Sequence, residues 1–399
     1  MRHQPIYLDT TEETSRFLTS IADVHLLALD TEGASFHRFV DRIYLLQLST
    51  RERTAVVDPL PIAAPEQLRL LLESPNVQIV FHDADYDLRL LHQDYGWQLR
   101  NIFDTRVAAQ LLGIRAFGLA ALLERYFGVK LDKKHQRADW SMRPLTPDML
   151  DYAAQDTMYL LDLRDQLATA LEQAGRWEWA REEFALLEAT RWDDEDGSDD
   201  AFLKMKGARD LSRRELAVLR ELVQWRDDVA RRADKATFRV LGNEPLLQIA
   251  RLKPTTRDAL ASVKGMPRGM LERQATALLS AVRRGLDLLE ADLPRFPKAA
   301  RWERDPDFDT RVSALRTARD TAAARLDMDP GVLCSRDRLE AVARRNPGSL
   351  DELRAVRELR RWQVDVLGAD LLAALTPHRA PASRRPSDDD QQPSPYRDD

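Results

Sequence analysis

Short apolar runs between turn-forming residues open the chain, and such runs are typical of β-strands. Residues 24–30, 42–49, 53–58 and 77–81 form four of them. The first three follow one another closely, as antiparallel neighbours do, and helical periodicity dominates afterwards. The pattern therefore predicts an α/β domain with a mixed sheet rather than a repeated βαβ array. The predicted helices cover residues 66–73, 85–93, 104–112, 118–127, 146–153 and 156–190.

The C-terminal half of the chain contains an internal repeat. A shift of 93 residues superimposes thirteen identical residues within 42 ungapped positions, among them Leu222 on Leu315. Such self-similarity indicates two copies of one structural unit. Because both copies have helical periodicity, we predict two small all-helical bundle domains, residues 205–291 and 305–378.

Polar segments set the remaining domain limits. The run from Asp193 to Asp200 is almost entirely acidic and predicts a linker, residues 193–204, after an α/β domain of residues 1–192. Residues 379–399 are rich in Pro, Ser and Asp, so we expect a disordered tail.

Composition excludes several classes of protein. The chain has 399 residues, enough for two or three domains. No segment approaches 18 consecutive apolar residues, and the N-terminus lacks the apolar core of a secretory signal, so we expect no membrane segment and no secretion. The one cysteine, Cys334, excludes an internal disulfide framework and a thiolate zinc site. It also suits a reducing cytoplasm, which is the predicted location.

Charge is distributed unevenly along the chain. The formal net charge is −6, but residues 1–192 sum to −8 and residues 201–380 to +10. A basic half beside an acidic half is typical of a separate module that binds a polyanion. The alternative is a solvated helical surface that is rich in arginine.

Four carboxylates and a tyrosine stand at structurally distinctive positions. Asp30 and Glu32 end a predicted strand. Because side chains alternate between the two faces of a sheet, residues two apart lie on the same face. Asp87 lies in the first turns of the helix after the fourth predicted strand, ahead of an apolar stripe. Tyr152 and Asp156 are one turn apart on one helix.

Clustered carboxylates indicate a site for cations, because like charges repel and burial disfavours their charged forms unless a cation compensates. A ligand set made of oxygen atoms predicts hard divalent cations, Mg²⁺ or Mn²⁺. Two such cations, about 3.5–4 Å apart, stabilise the attacking and leaving oxygens of a displacement at phosphorus. A phenol beside a metal-bound carboxylate, here Tyr152, can orient the attacking water.

Three segments of the chain resemble a known set of motifs. LLALDTEGASFHR, VFHDADYDLRLL and YAAQDTMYLL are similar to the three exonuclease motifs of the DEDD superfamily, in the subclass whose third motif is YxxxD. The stretch from IFDTRVAAQLLG to DYAAQDTMYLLDL resembles the ribonuclease D family nearly throughout. The two helical modules resemble the helicase-and-RNase-D C-terminal (HRDC) domain, the second copy being more divergent.

This resemblance implies an RNase H-like fold and 3′-to-5′ hydrolysis of RNA to nucleoside 5′-monophosphates with two divalent metal ions. It makes Asp30, Glu32, Asp87 and Asp156 metal ligands and Tyr152 the water-positioning residue. The implied substrates are tRNA precursors and other small structured RNAs, and we expect a monomer. One alternative is a DNA exonuclease of repair. Another is a non-catalytic nucleic-acid-binding scaffold, against which the four intact carboxylates argue.

Substrate contacts are the part of the site where the chain departs from the family. Many members have an aromatic residue directly after Asp-Thr-Glu, whereas this chain has Gly33. We therefore expect Phe36 or His37 to contact the substrate. His82 is either a substrate contact or a structural histidine at a strand end. Arg143 either binds substrate or caps the helix that follows it.

Overall fold

The computed structural model describes residues 4–62, 65–132, 134–193, 200–297 and 305–378. Contacts divide the chain into two compact units: residues 1–109 with 116–301, and residues 110–115 with 302–399. Within the described segments, no helix has the length and apolar character needed to cross a membrane.

A six-stranded mixed sheet lies at the centre of the N-terminal region. Its strands are β1 (Ile6–Leu8), β2 (Leu26–Glu32), β3 (Leu45–Ser49), β4 (Thr54–Val57), β5 (Gln78–Phe81) and β6 (Ile102–Asp104). The spatial order is β1-β4-β3-β2-β5-β6. The strands β2, β3 and β4 pair antiparallel, as predicted, and the other three pairings are parallel. The mixed α/β fold is thereby confirmed.

In the described part of this region, eight helices surround or follow the sheet. They are α1 (Thr11–Ser20), α2 (Glu66–Leu72), α3 (Asp85–Tyr95), α4 (Thr105–Leu111), α5 (Leu119–Phe127), α6 (Pro147–Met158), α7 (Leu160–Gln173) and α8 (Trp177–Leu187). The single helix predicted over residues 156–190 is wrong. The backbone breaks at Tyr159 and again at Gly175, whose φ of 65° ends α7 in the left-handed conformation.

The sequence pattern missed three elements, namely α1 and the edge strands β1 and β6. Each of these strands has only three residues, too few to show a period of two. Their pairing is set by neighbours that are distant in sequence, because β1 lies beside β4 and β6 beside β5. A local pattern therefore could not predict them.

Helices cover both faces of the sheet. One face packs Leu46, Leu68 and Leu90 into a single apolar cluster with α1, α2 and α3. The other face packs Leu45 and Val56 against α6. Adjacent residues of β3 thus point into different cores, which follows from the alternation of side chains along a strand. A fully buried leucine contributes about 1.5–3 kcal/mol, so this two-sided burial fixes the position of β3 between the layers and, through strand pairing, that of β2.

The predicted linker, residues 193–204, ends earlier than expected. Its last residues form the short helix α9 (Ala201–Lys204), and Phe202 is buried in the core of the first helical module. Phe202 and Leu203 pack into this core, so the helix forms directly after the acidic residues. Residues 194–199 of the linker and the predicted tail, residues 379–399, lie outside the described residues.

The two helical modules repeat one architecture. The first contains α10 (Arg213–Ala233), α11 (Thr237–Val240), α12 (Asn243–Leu252), α13 (Arg257–Ala261) and α14 (Arg268–Asp287). The second contains α15 (Phe308–Leu326), α16 (Pro330–Leu333), α17 (Arg336–Arg345), α18 (Leu350–Arg354) and α19 (Arg361–Leu375). The last four helices of each begin 93 residues apart, so the predicted repeat is present in the backbone.

The first module depends on a close approach between its two long helices. A Cβ placed on Gly285 of α14 would lie 2.5 Å from the Val218 Cα and 2.7 Å from the Val218 nitrogen, both in α10. Backbone atoms cannot rotate away, so only glycine fits there.

Gly285→Ala should therefore destabilise the first module by about 1–3 kcal/mol through overpacking. Gly269→Ala, in the same helix, is the matched control, because its Cβ would meet only the flexible end of Arg273. We expect this control to be neutral or slightly stabilising. Urea unfolding of both variants checks the difference, and equal stabilities would contradict the close approach.

Candidate active site

The strand β2 presents two carboxylates at its end. Asp30 and Glu32 alternate with Thr31, which is buried and points to the opposite face. The antiparallel partner strand places Gln47 opposite Asp30 and Leu45 opposite Glu32. The predicted placement of both carboxylates on one face follows from this register.

Asp87 reaches the same region from the first turn of α3. It is 4% exposed, and its Oδ1 accepts hydrogen bonds from the Thr31 nitrogen (2.9 Å) and the Thr31 hydroxyl (2.6 Å). Asp85, its neighbour on the helix, instead pairs with Arg89 in solvent. These two hydrogen bonds hold Asp87 against β2 through its Oδ1 atom. The other carboxylate oxygen of Asp87 takes no part in them.

Asp104 is a supporting residue that sequence reasoning missed. It ends β6, is 1% exposed and accepts hydrogen bonds from the nitrogens of Asp83 and Ala84, which precede α3. It also accepts from the nitrogens of Arg106 and Val107 in the first turn of α4. One carboxylate thus fixes two helix starts. An aspartate directly before a helical segment is a sequence signal for the start of α4. Its contacts at the start of α3 depend on the tertiary fold and have no such signal.

The helix α6 positions Tyr152 and Asp156. Its N-cap Thr146 accepts from the Met149 nitrogen, which fixes where the helix begins. At the other end, the buried Thr157 hydroxyl lies 2.8 Å from the Ser49 hydroxyl of β3. Tyr152 and Asp156 are therefore held one turn apart on a helix that is bonded to the sheet.

Three of the four carboxylates form a compact group. Asp30, Glu32 and Asp156 each offer an oxygen, and these atoms lie within 4.8 Å of one another; among the described residues this group does not include Asp87. Burial raises the pKa of Asp30 well above its usual range, and the charges of Asp87, Asp156 and Glu32 raise it further. Asp87 is thus close enough to perturb the group without belonging to it.

The electrostatics of this group fit a hard divalent cation. Burial, then the charges of Asp156 and Asp87, raise the pKa of Glu32. Burial also raises the pKa values of Asp87 and Asp156 to about 7. The charged neighbours that raise the pKa values of Asp30 and Glu32 are all carboxylates. A bound cation would therefore reduce their mutual repulsion and offset the cost of removing them from water. Oxygen ligands of this kind match cations such as Mg²⁺.

Three of the four carboxylates line a cavity of about 480 Å³. Its wall includes Asp30, Glu32, Tyr152 and Asp156, together with the first turn of α5. A second cavity, of about 610 Å³, lies near the opposite end of β2 with Asp23 as its only carboxylate wall residue. That cavity lacks a ligand set for a cation, so the smaller one is the candidate active site.

Tyr152 is a protonated phenol within this cavity. Burial, followed by the negative charges of Asp156, Glu32 and Asp30, raises its pKa above the usual range. Its ring packs beside Trp140, with ring centres 6.0 Å apart. The hydroxyl therefore keeps its proton at neutral pH while standing beside the carboxylates.

His82 lines the same cavity as a neutral imidazole. Burial, and then the charge of Arg106, lower its pKa to about 4. Its Nδ1 lies 2.9 Å from the Thr105 hydroxyl, which itself donates to the Phe81 carbonyl at 2.9 Å. The carbonyl can only accept, so the Thr105 proton goes there and Nδ1–H must donate to Thr105. The lone pair of the neutral ring is then on Nε2.

Arg143 has a structural role, but not the predicted one of a helix cap, because Thr146 caps α6. Its guanidinium donates to both carboxylate oxygens of Asp58 and to the carbonyls of Trp140, Met142 and Tyr44. These bonds use all five N–H groups of the side chain. The expected substrate contact is therefore wrong for Arg143, because no donor is left for it.

His37 and Phe36 lie on the loop after β2 and differ in their surroundings. The His37 Nε2 lies 3.1 Å from the Arg137 carbonyl, and Nδ1 lies 3.5 Å from Asp139. Both ring nitrogens thus face protein groups. The Phe36 ring is 46% exposed and remains accessible to a ligand.

Gly33 is explained by a side-chain pair packed against it. A Cβ at Gly33 would collide with the Tyr86 hydroxyl, which donates to the Asp41 carboxylate. Asp41 also accepts from the Ala34 nitrogen at 2.8 Å. Another aromatic residue, Tyr86, therefore occupies the space beside Gly33, and a larger residue there would have to displace the Tyr86–Asp41 pair.

Comparisons with known proteins agree with this geometry. A 3′-5′ exonuclease family model matches residues 5–172, and the HRDC domain model matches residues 215–282 and 309–375. The chain is 30% identical over 374 residues to a ribonuclease D of Gluconacetobacter diazotrophicus, covering 92% of each protein. The chain belongs to the ribonuclease D family. As a member of that family, it is a 3′-5′ exoribonuclease.

Solved structures extend the likeness to the ribonuclease D fold. The crystal structure of Escherichia coli RNase D, an exoribonuclease involved in structured RNA processing, has a TM-score of 0.72 at 25% identity. It covers 95% of this chain and 100% of that one. A protein from Bifidobacterium adolescentis has a TM-score of 0.79 at 26% identity, covering 93% and 97%. The predicted family, fold class and enzymatic activity are confirmed, and the acidic cluster matches the divalent-metal use of DEDD exonucleases.

Divalent cations should stabilise the protein more at pH 8 than at pH 5. Folding raises the carboxylate pKa values, so without metal the stability falls as pH rises from about 4 through about 7. Protons compete with cations at pH 5, whereas at pH 8 saturating Mn²⁺ should add roughly 2.7 kcal/mol at 100 times its Kd. Thermal melting with and without Mn²⁺ measures the difference.

The control for that experiment is Asp85→Asn, which alters an exposed acid of the same segment and should behave as the wild type. Asp30→Asn should melt no lower than the wild type without metal and lose the gain from Mn²⁺. Equal Mn²⁺ stabilisation of the wild type and Asp30→Asn would contradict the assignment.

Proposed function

We propose that the chain removes 3′-terminal nucleotides from RNA as nucleoside 5′-monophosphates, with two divalent cations, Mg²⁺ or Mn²⁺, at the carboxylate site. Water attacks the terminal phosphorus, the bond from phosphorus to the preceding 3′-oxygen breaks, and the shortened RNA keeps a 3′-hydroxyl. The observation that supports this best is the group formed by Asp30, Glu32 and Asp156 in one cavity with Tyr152.

The side chains of the site have different proposed roles. Asp30, Glu32, Asp87 and Asp156 would hold the cations, whose chemistry in such sites is neutralisation of charge on the attacking and leaving oxygens. The Tyr152 hydroxyl keeps its proton and orients the attacking water by hydrogen bonding. Thr31, Asp104 and Thr157 hold these groups in place.

The biological setting follows from the relatives and from composition. The similarity to an enzyme of structured RNA processing supports tRNA precursors and other small structured RNAs as substrates. The net charge of +10 over residues 201–380 supports binding of their phosphates by the helical modules. The single cysteine supports a cytoplasmic location, and we propose a monomer.

The catalytic assignment is tested with a 5′-labelled RNA and Mg²⁺. The wild type should give a ladder of shortened products and release 5′-monophosphates. Tyr152→Phe keeps the ring packing but removes the hydroxyl, so kcat should fall roughly 10²-fold. Asp30→Asn should be inactive, while the control Asp85→Asn should match the wild type. A wild type without a ladder, or an active Asp30→Asn, would overturn the proposal.

His82 supports a preference for RNA over DNA. The lone pair on its Nε2 suits a hydroxyl donor rather than a phosphate oxygen, because two acceptors repel each other. A ribose hydroxyl is such a donor, and the 2′-hydroxyl is the group that distinguishes RNA from DNA.

His82→Leu should therefore slow hydrolysis of RNA by about tenfold, the upper range for one hydrogen bond, and leave hydrolysis of matched DNA unchanged. Oligonucleotides with a 2′-deoxy substitution at the last or the preceding nucleotide identify which hydroxyl is bound. Equal loss on RNA and DNA would assign His82 to catalysis or folding instead.

A further inference from the structure

Two exposed phenylalanines meet where the loop after β2 contacts the first helical module. All twelve phenylalanines of the chain are described, and only Phe36 and Phe238 are exposed, at 46% and 53%. These two rings contact each other edge to face, with centres 6.2 Å apart. Phe36 comes from the exonuclease domain and Phe238 from the helix α11 of the first helical module. Two exposed rings meeting across a domain boundary form a surface suited to a planar ligand.

The loop after β2 is bonded to the first helical module, which holds the two rings together. The Ala236 nitrogen donates to the His37 carbonyl at 3.2 Å, and Arg38 donates to Asp234 at 3.2 Å. The Phe39 nitrogen also donates to Asp234, at 3.3 Å. These hydrogen bonds, which do not involve the rings, fix the loop to the module, and both rings remain exposed rather than filling a core.

Two cations accompany these rings. The Arg137 guanidinium lies over the Phe36 ring, 5.5 Å from its centre. Arg239 donates through Nε to the Phe36 carbonyl, and its side chain is exposed. Exposed arginines next to aromatic rings are the combination that single-stranded nucleic acids require, since bases stack on the rings and phosphates pair with the cations.

The rings also lie within reach of the reaction. Phe36 is four residues after Glu32, so their Cα atoms are at most about 14 Å apart. A strand whose 3′-terminal phosphodiester occupies the carboxylate cavity would place an upstream nucleotide within that distance.

We propose that Phe36 and Phe238, with Arg137 and Arg239, form a platform on which a base at least two nucleotides upstream of the 3′-terminal nucleotide stacks. This inference rests on the proposed function, and it gives the first helical module a direct part in binding the substrate. The platform is independent of base identity because every base has a π-face.

Kinetics on substrates of two lengths test the platform. Phe238→Ala should raise KM for a long single-stranded RNA by at least about fivefold, the lower end of the effect of base–aromatic stacking. Hydrolysis of a dinucleotide, which is too short to reach the platform, should keep the wild-type kcat/KM. Phe238→Leu should resemble Phe238→Ala, and Phe238→Trp should restore the wild-type KM. Leu289→Ala, at another exposed apolar residue of the module, is the control.

Fluorescence gives a second readout without turnover. In the Asp30→Asn background, 2-aminopurine placed at successive positions from the 3′ end should be quenched at one upstream position. Adding Phe238→Leu should abolish that quenching.

Two results would overturn the platform. One is an unchanged KM of Phe238→Ala for long RNA. The other is an equal loss of kcat/KM on long RNA and on the dinucleotide, which would make the ring pair only an anchor for the loop. A wild type that degrades neither substrate would instead refute the proposed function.

Discussion

Repulsion among four clustered carboxylates, of which Asp87 is buried and the other three are half-buried, is the constraint on which the rest of this structure depends. One strand, β2, and two helices, α3 and α6, bring Asp30, Glu32, Asp87 and Asp156 together. Burial raises every one of their pKa values, and neighbouring carboxylates raise those of Asp30 and Glu32 further. A fold gains nothing from such a group on its own. Its presence is understandable only if positive charge enters the site, which is what an exonuclease of this family uses.

The scaffold opposes this repulsion with hydrogen bonds that are remote from the reacting atoms. Thr31 holds Asp87, Asp104 fixes the start of the helix that carries it, and the contact of Thr157 with Ser49 ties α6 to the sheet. These groups are buried and paired, so their cost of desolvation is offset. These bonds position the carboxylate-bearing elements without help from a cation or substrate, and such preorganisation reduces the rearrangement needed for catalysis.

Local periodicity predicted the parts of the site that short-range geometry determines. The period of two placed Asp30 with Glu32, and the helical turn placed Tyr152 with Asp156. The parts that were missed depend on contacts between distant segments. Arg143 and Asp58 are 85 residues apart, and Arg38 and Asp234 are 196 apart. Neither the structural role of Arg143 nor the docking of the first module on the loop after β2 has a local signature.

The central claim is that the carboxylate group exists to bind two cations, and counting them tests it most directly. Equilibrium dialysis against Mn²⁺ at neutral pH should give two bound ions per wild-type chain and fewer for Asp30→Asn, while Asp85→Asn should retain two. A wild-type chain that binds no Mn²⁺ at concentrations supporting hydrolysis, or an Asp30→Asn chain that binds as many ions as the wild type, would contradict the claim.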